Sequence, residues 1–234
     1  MGEIAVVPLL EALGKESDAS LRKKIISIVV SLGEVAIPEI VRRFSDENWY
    51  VVRNMVRILR EIGTEKVVQY LNIPLKHEDS RVRKEVVYAL SSIGGREAFN
   101  LISRMADDPD EEVRQGAIKY LGIMKNKGAV PLLLKLIGKR NPFGCNNSFI
   151  ISGIDALGEI GAEEAVPRLV QLLKKSTIFA RSRNDDVRIA AATALEKTGN
   201  EQAMEALTRG TGFRRKIVRQ VCERLIRKHK ESKR

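Results

Sequence analysis

Apolar residues recur along this chain in one fixed order. Behind Asp79 come Val82, Arg83, Val86, Ala89, Leu90 and Ile93, and the run closes on Gly94. The same order returns behind Asp18, at Leu21-Arg22, Ile25, Ile28-Val29 and Leu32-Gly33. It returns again behind Asp110, at Val113-Arg114, Ala117, Tyr120-Leu121 and Met124-Lys125. The closing positions are Gly33, Gly63, Gly94, Lys125, Gly161 and Gly199, in steps of 30, 31, 31, 36 and 38 residues. A period of this length predicts stacked helical hairpins, each burying its apolar face against the next.

Each unit divides into two helices. The first has apolar stripes at helical spacing. One row runs through Ile25, Met55, Val86, Ala117, Gly153, Ala191 and Cys222, the other through Val29, Leu59, Leu90, Leu121, Leu157, Leu195 and Ile226. Asp18, Asn48, Asp79, Asp110, Asn146 and Asn184 stand where a side chain would cap the helix start. The closing glycine suits a left-handed turn. Arginine follows the first apolar residue at Arg22, Arg83, Arg114, Arg188 and Arg219, whereas Arg53 lies one residue off register. The second helix opens near Pro8, Pro38, Pro131 or Pro167 and buries Leu10, Ile40, Leu71, Ile102, Leu133, Leu169 and Leu207.

The expected organisation is therefore a lone second helix at 1–15, hairpins at 18–45, 48–76, 79–106, 110–139, 147–175 and 184–209, and a basic helix at 213–234. Two units are longer, through insertions at 140–147 and 176–184. These are either binding loops on one edge or drift in loop length. The start on a second helix leaves Ile4, Val6, Val7, Leu9, Leu10 and Leu13 without a first helix beside them. Self-capping, dimerisation and a preceding segment of a longer protein all remain open, the last being favoured.

Charge sharpens this picture. The net charge is +11, but residues 209–234 alone hold eleven Lys/Arg against two acids, Glu223 and Glu231. The preceding residues are almost balanced, with 30 basic and 28 acidic side chains. Two cysteines, Cys145 and Cys222, far apart in the repeat, make a disulfide improbable and fit a cytoplasmic setting. No run is long and apolar enough for a membrane span, and the N-terminal stretch lacks the features of a signal peptide.

The unit resembles the short HEAT-like repeat of the phycobilisome-lyase type. The resemblance is carried by Asp79 through Gly94, Asp110 through Leu133 and Val187 through Leu207, and Asp46 through Arg53 resembles a variant of bacterial HEAT-like arrays. It implies an all-α fold, a right-handed α-solenoid of about six hairpins with the second helices lining the concave face. Members of the family include scaffolds, lyase subunits and enzymes.

On that face one row would gather Arg42, Arg104, Lys135, Gln171 and Arg209, with Arg168 beside it and Lys139, Arg140, Lys174, Lys175, Arg181 and Arg183 nearby. Such a row suits an acidic protein segment; nucleic acid is the alternative, although stacking aromatics are sparse. Trp49 and Tyr50 are a candidate anchor or a packing pair. Arg214, Arg215, Lys216, Arg224, Arg227 and Lys228 form the basic C-terminal end. Catalysis, a metal, a cofactor and a small-molecule substrate are not expected. His77-Glu78 is similar to the pairs of HEAT-repeat di-iron hydroxylases but occurs once, Cys145 has no base beside it, and Trp49 sits near a turn rather than in a groove. The expected function is a non-catalytic scaffold for an acidic protein, with a nucleic-acid-binding solenoid or a lyase-associated subunit as alternatives.

Overall fold

A computed structural model describes residues 2–138, 147–175 and 181–232. The chain forms two compact units, residues 1–117 and 118–234. The first contains α1 (Gly2–Lys15), α2 (Ala19–Ser31), α3 (Ile37–Arg42), α4 (Trp49–Ile62), α5 (Val68–Leu71), α6 (Ser80–Ile93) and α7 (Gly95–Met105). The boundary falls within α8 (Glu111–Ile123). The second unit continues with α9 (Val130–Gly138), α10 (Asn147–Ile160), α11 (Val166–Lys174), α12 (Arg181–Thr198), α13 (Glu201–Gly210) and α14 (Lys216–Ser232). No strand occurs among the described residues.

The turn into α2, α4, α6 and α8 is a small hydrogen-bonded device written in the sequence. Asp18 accepts the amides of Ser20 and Leu21, Asn48 that of Tyr50, Asp79 that of Arg81, and Asp110 those of Glu112 and Val113. These bonds satisfy donors that a helix start leaves orphaned. The residue two before the cap accepts the amide of the cap itself, through Glu16, Asp46, His77 or Asp108. The repeated arginine then reaches back. Arg22 Nη1 donates to the carbonyls of Glu16 and Ser17, Arg83 Nη1 to those of His77 and Glu78, and Arg114 Nη1 to those of Asp108 and Pro109. One guanidinium thus ties two turn carbonyls to its helix.

At the other end, the closing glycines Gly33, Gly63, Gly94, Gly161 and Gly199 have φ of 63, 70, 77, 69 and 65°. Lys125 stands in the same slot with φ of 49°, the single non-glycine residue with positive φ among those described. Its backbone adopts what the turn requires, at a cost glycine would not incur.

Three elements differ from expectation. Pro8 lies inside α1 rather than in its first turn, because that helix already starts at Gly2. Asn184 lies inside α12, which begins at Arg181, so it is not the cap of that helix. The second helix of the 48–76 hairpin is four residues long, Val68–Leu71, with 3-10 turns at Glu65–Val67 and Pro74–Lys76 on either side. Pro74 has no amide with which to extend the helical hydrogen bonds.

The core runs along both sets of helices, with Leu10, Ile40, Leu71, Ile102, Leu133, Leu169 and Leu207 all at 0% exposure. Each such side chain contributes about 1.5–3 kcal/mol by leaving water. First helices also pack on first helices. In the first unit that seam is charged: Arg60 meets Glu85 at 2.6 Å, and Arg83 makes a bidentate pair with buried Asp108 at 2.9 and 2.8 Å. In the second unit it is backbone-close. A methyl added at Gly122 would fall 2.7 Å from Ala156 Cα, and one at Gly158 would fall 2.8 Å from Ala194 Cα.

Candidate interaction surfaces

The second-helix row is less uniform than its spacing implies. In the first unit Arg42 is exposed and pairs with Glu39 one turn back at 3.1 Å, while Arg104 is exposed without an ion pair among the described residues. In the second unit Lys135 is likewise exposed and unpaired among the described residues, and Arg209 meets Glu205 at 2.5 Å. Arg168 belongs to the architecture rather than the surface. Its guanidinium donates to the Ile137 carbonyl at 3.1 Å and to Gln171 Oε1 at 3.0 Å, tying α11 to α9 and occupying Gln171. Lys174 and Lys175 are exposed. Lys139, Arg140, Cys145, Asn146, the side chains of Arg181 and Arg183, and most of the two insertions lie outside the described residues.

Trp49 and Tyr50 open α4 and stand edge to face, with centroids 5.9 Å apart. Their faces are covered from within the chain. Arg81 lies 3.5 Å above the Trp49 ring while its guanidinium also grips Asp79. Arg53 lies over both rings at 5.6 and 5.4 Å, and Arg22 approaches Tyr50 at 5.6 Å. Arg53 is the arginine that is out of register, and these rings are its partners in place of turn carbonyls. Each cation–π contact is worth on the order of 0.5–1 kcal/mol where partly exposed. The pair is therefore a packed joint between the starts of α2, α4 and α6.

The basic end divides into two sets. On α14 the apolar side, Val218, Cys222 and Leu225, is buried. Arg215 Nε donates to buried Asp185 at 2.9 Å, and Lys228 meets Glu196 at 3.3 Å, so both cations fasten α14 to α12. Arg214, Lys216, Arg224 and Arg227 are exposed and form no ion pair among the described residues. Helical spacing sets Lys216, Arg224 and Arg227 on one stripe opposite the buried side.

His77 has a structural task. Its Nδ1 accepts the Asp79 amide at 3.0 Å, the task Glu16, Asp46 and Asp108 perform in the other turns. The bond needs the Nδ1 lone pair and so removes that nitrogen from metal ligation. Burial pushes the Cys222 thiol up to about 11, leaving it protonated and unreactive at neutral pH. No group of three or more His, Cys, Asp or Glu fit to hold a metal occurs among the described residues. Also among them, no helix is long and apolar enough to cross a membrane.

Periodicity did not reveal Asp108 as the buried partner of Arg83, nor Asp185 as the anchor shared by Arg188 and Arg215. The usable signal for Asp108 was its place two residues before a cap, where Asp46 and Glu16 recur.

The model of the family described as HEAT repeats matches residues 71–151, 101–178 and 151–227, more than half of the chain. The chain belongs to the HEAT repeat family. As in that family, its fold is an all-α solenoid of helical hairpins. Among solved structures, the HEAT-repeat chain is similar to human deoxyhypusine hydroxylase in complex with glycerol, at 18% identity over 98% of this chain and 97% of that one, with a TM-score of 0.42. It is similar to the complex of CpcE and CpcF of phycocyanin lyase from Nostoc sp. PCC7120, at 18% identity over 99% and 89% of the respective chains, with a TM-score of 0.47. An engineered protein is 17% identical over 97% and 96%, with a TM-score of 0.37. No curated protein matches the sequence.

Proposed function

We propose that this HEAT-repeat chain is a non-catalytic, cytoplasmic scaffold that binds an acidic protein surface. The observation that supports this reading is the outward stripe of α14. Lys216, Arg224 and Arg227, with Arg214 just before the helix, are exposed with no acid paired to them among the described residues, while the opposite side of α14 is consumed by packing. Unpaired cations on a rigid helix steer and orient an anionic partner. Arg104 and Lys135, the cations of the second-helix row without an ion pair among the described residues, are the proposed secondary contacts. Arg42 and Arg209 contribute less, because each is offset by a glutamate one turn away.

A protein partner is favoured over single-stranded nucleic acid by the rings. Trp49 and Tyr50 are stacked by the chain's own arginines, and Phe213, just before α14, lies 5.0 Å from the Arg188 guanidinium. Stacking platforms need open ring faces.

The test is capture from the native lysate by wild-type protein and by the Arg224→Glu, Arg227→Glu variant, followed by affinity measurement on the captured species. Loss of roughly tenfold or more in affinity is expected, with an unchanged melting temperature. The Arg104→Glu, Lys135→Glu variant should weaken binding by a smaller factor. Equal affinity of wild type and the α14 variant would refute the assignment. So would capture abolished by nuclease with a steep linear dependence of log affinity on log salt, which would indicate phosphate neutralisation.

A further inference from the structure

The first unit carries a second surface, and the repeat register shows what it is shaped to receive. Five residues before the closing position, Ile58, Ala89, Ala156, Ala194 and Leu225 are buried and Tyr120 is half-buried. Twelve before it, Val51, Val82, Val113, Val187 and Val218 are buried and Phe149 is half-buried. In α2 the same two slots hold Ile28 and Leu21, which are 48% and 46% exposed. With half-exposed Ile25 and Leu32 they make a continuous apolar stripe along one side of α2. The core of α2 lies elsewhere, at Ile26 and Val29.

The direction of this stripe follows from the internal seams. The slot three before the closing position belongs to the preceding helix of each pair: Gly122 lies against Ala156, and Gly158 against Ala194. The slot five before it therefore faces the preceding first helix, and in α2 no described helix covers it. Charge identifies the missing neighbour further. Arg60, three before its closing glycine, pairs at 2.6 Å with Glu85, nine before the next one. In α2 that receiving slot is Lys24, which is exposed. The sign is reversed, so an arriving helix should bring a carboxylate where α4 brings Arg60.

We propose that the Leu21–Ile28 face of α2 docks an amphipathic helix of a partner protein, one that presents small or aliphatic residues along one side and a carboxylate opposite Lys24. A second copy of this chain is a poor occupant. Its own α2 would set Lys23 and Lys24 against their equivalents, and the free side of its α14 offers Arg224 and Arg227. The surface lies in the other compact unit from α14 and does not depend on the function proposed above.

The probe is a helix-stapled peptide with the α4 sequence, Asn48 to Gly63, made with native Arg60 and with Arg60→Glu. Fluorescence anisotropy with the full chain should show saturable binding of the Arg60→Glu peptide, and binding of the native peptide weaker by about three- to tenfold. Lys24→Glu should invert this order, and Ile28→Glu should abolish binding of both while leaving the circular dichroism melt unchanged. Binding unaffected by Ile28→Glu, no preference between peptides, or no binding of either would overturn the proposal. Light scattering that shows a dimer broken by Ile28→Glu would overturn it in favour of a second copy. Charge reversal on α14 should leave peptide binding intact, which separates failure here from failure of the scaffold assignment.

Discussion

Both compact units set ion pairs between first helices, and the second adds close glycine–alanine contacts beneath them. In the first, long side chains cross the seam: Arg60 to Glu85, Lys84 to Glu112, and Arg83 to Asp108. In the second, long side chains also cross, Lys197 to Glu159 at 2.6 Å and Lys228 to Glu196 at 3.3 Å, but glycine and alanine in addition bring two backbones together at Gly122 with Ala156 and at Gly158 with Ala194. The repeat therefore specifies where helices meet, not what fills the contact. The seam of the first unit buries Ile58, Leu59, Val86 and Leu90 and adds paired charges to that burial. A small-residue seam draws stability from dispersion over many close contacts and tolerates no added volume.

This contrast predicts where each unit breaks. The largest effect should come from Asp108→Ala, which leaves the Arg83 guanidinium buried without its carboxylate. A loss of about 3–5 kcal/mol is expected in urea unfolding. Removing the exposed partner in Glu112→Ala should cost at most about 0.5 kcal/mol. A similar cost for the two variants would show that burial does not govern the charged seam.

The second unit should fail by crowding. Gly158→Val places a side chain against Ala194 Cα and should cost about 1–3 kcal/mol, read as a lowered midpoint in thermal unfolding. Arg60→Val, in the corresponding slot of the first unit, should cost less, because that seam already accommodates a long side chain and the change forfeits one ion pair. If the valine variants rank the other way, the distinction between the seams is wrong.

The smallest effect concerns the turn that both units share. Lys125→Gly should stabilise by about 0.5–1 kcal/mol, because glycine adopts the observed φ without strain. Part of this gain is offset by the greater freedom of glycine in the unfolded chain. A destabilised Lys125→Gly variant in denaturant titration would show that the lysine side chain contributes more than the turn geometry costs.

Much of the architecture was legible in the pattern. Closing glycines, caps and apolar rows are local requirements of helix ends and faces, and each repeats often enough to be read. The surfaces were less legible. Arg42, Arg104, Lys135 and Arg209 share one slot, yet two of them carry a glutamate from their own helix and two carry no ion pair among the described residues. Arg168 looked equally available and is spent on the Ile137 carbonyl. Trp49 and Tyr50 stood out in sequence as aromatics, but their arginine cover comes from Arg22 and Arg81 as well as from nearby Arg53, and residues from three helices meet only after folding.

The sequence by itself determined the repeat, its period, the family, the caps at Asp18, Asn48, Asp79 and Asp110, and the concentration of positive charge in residues 209–234. Those properties depend on residue type and on spacing within one unit. Only the tertiary structure decided which charges are consumed and which remain. Arg83 is paired by an aspartate 25 residues away, Arg215 by one 30 residues away, and Leu21 and Ile28 are exposed where their counterparts are buried or half-buried. Burial and pairing are properties of neighbouring repeats in contact, and no single repeat contains that information.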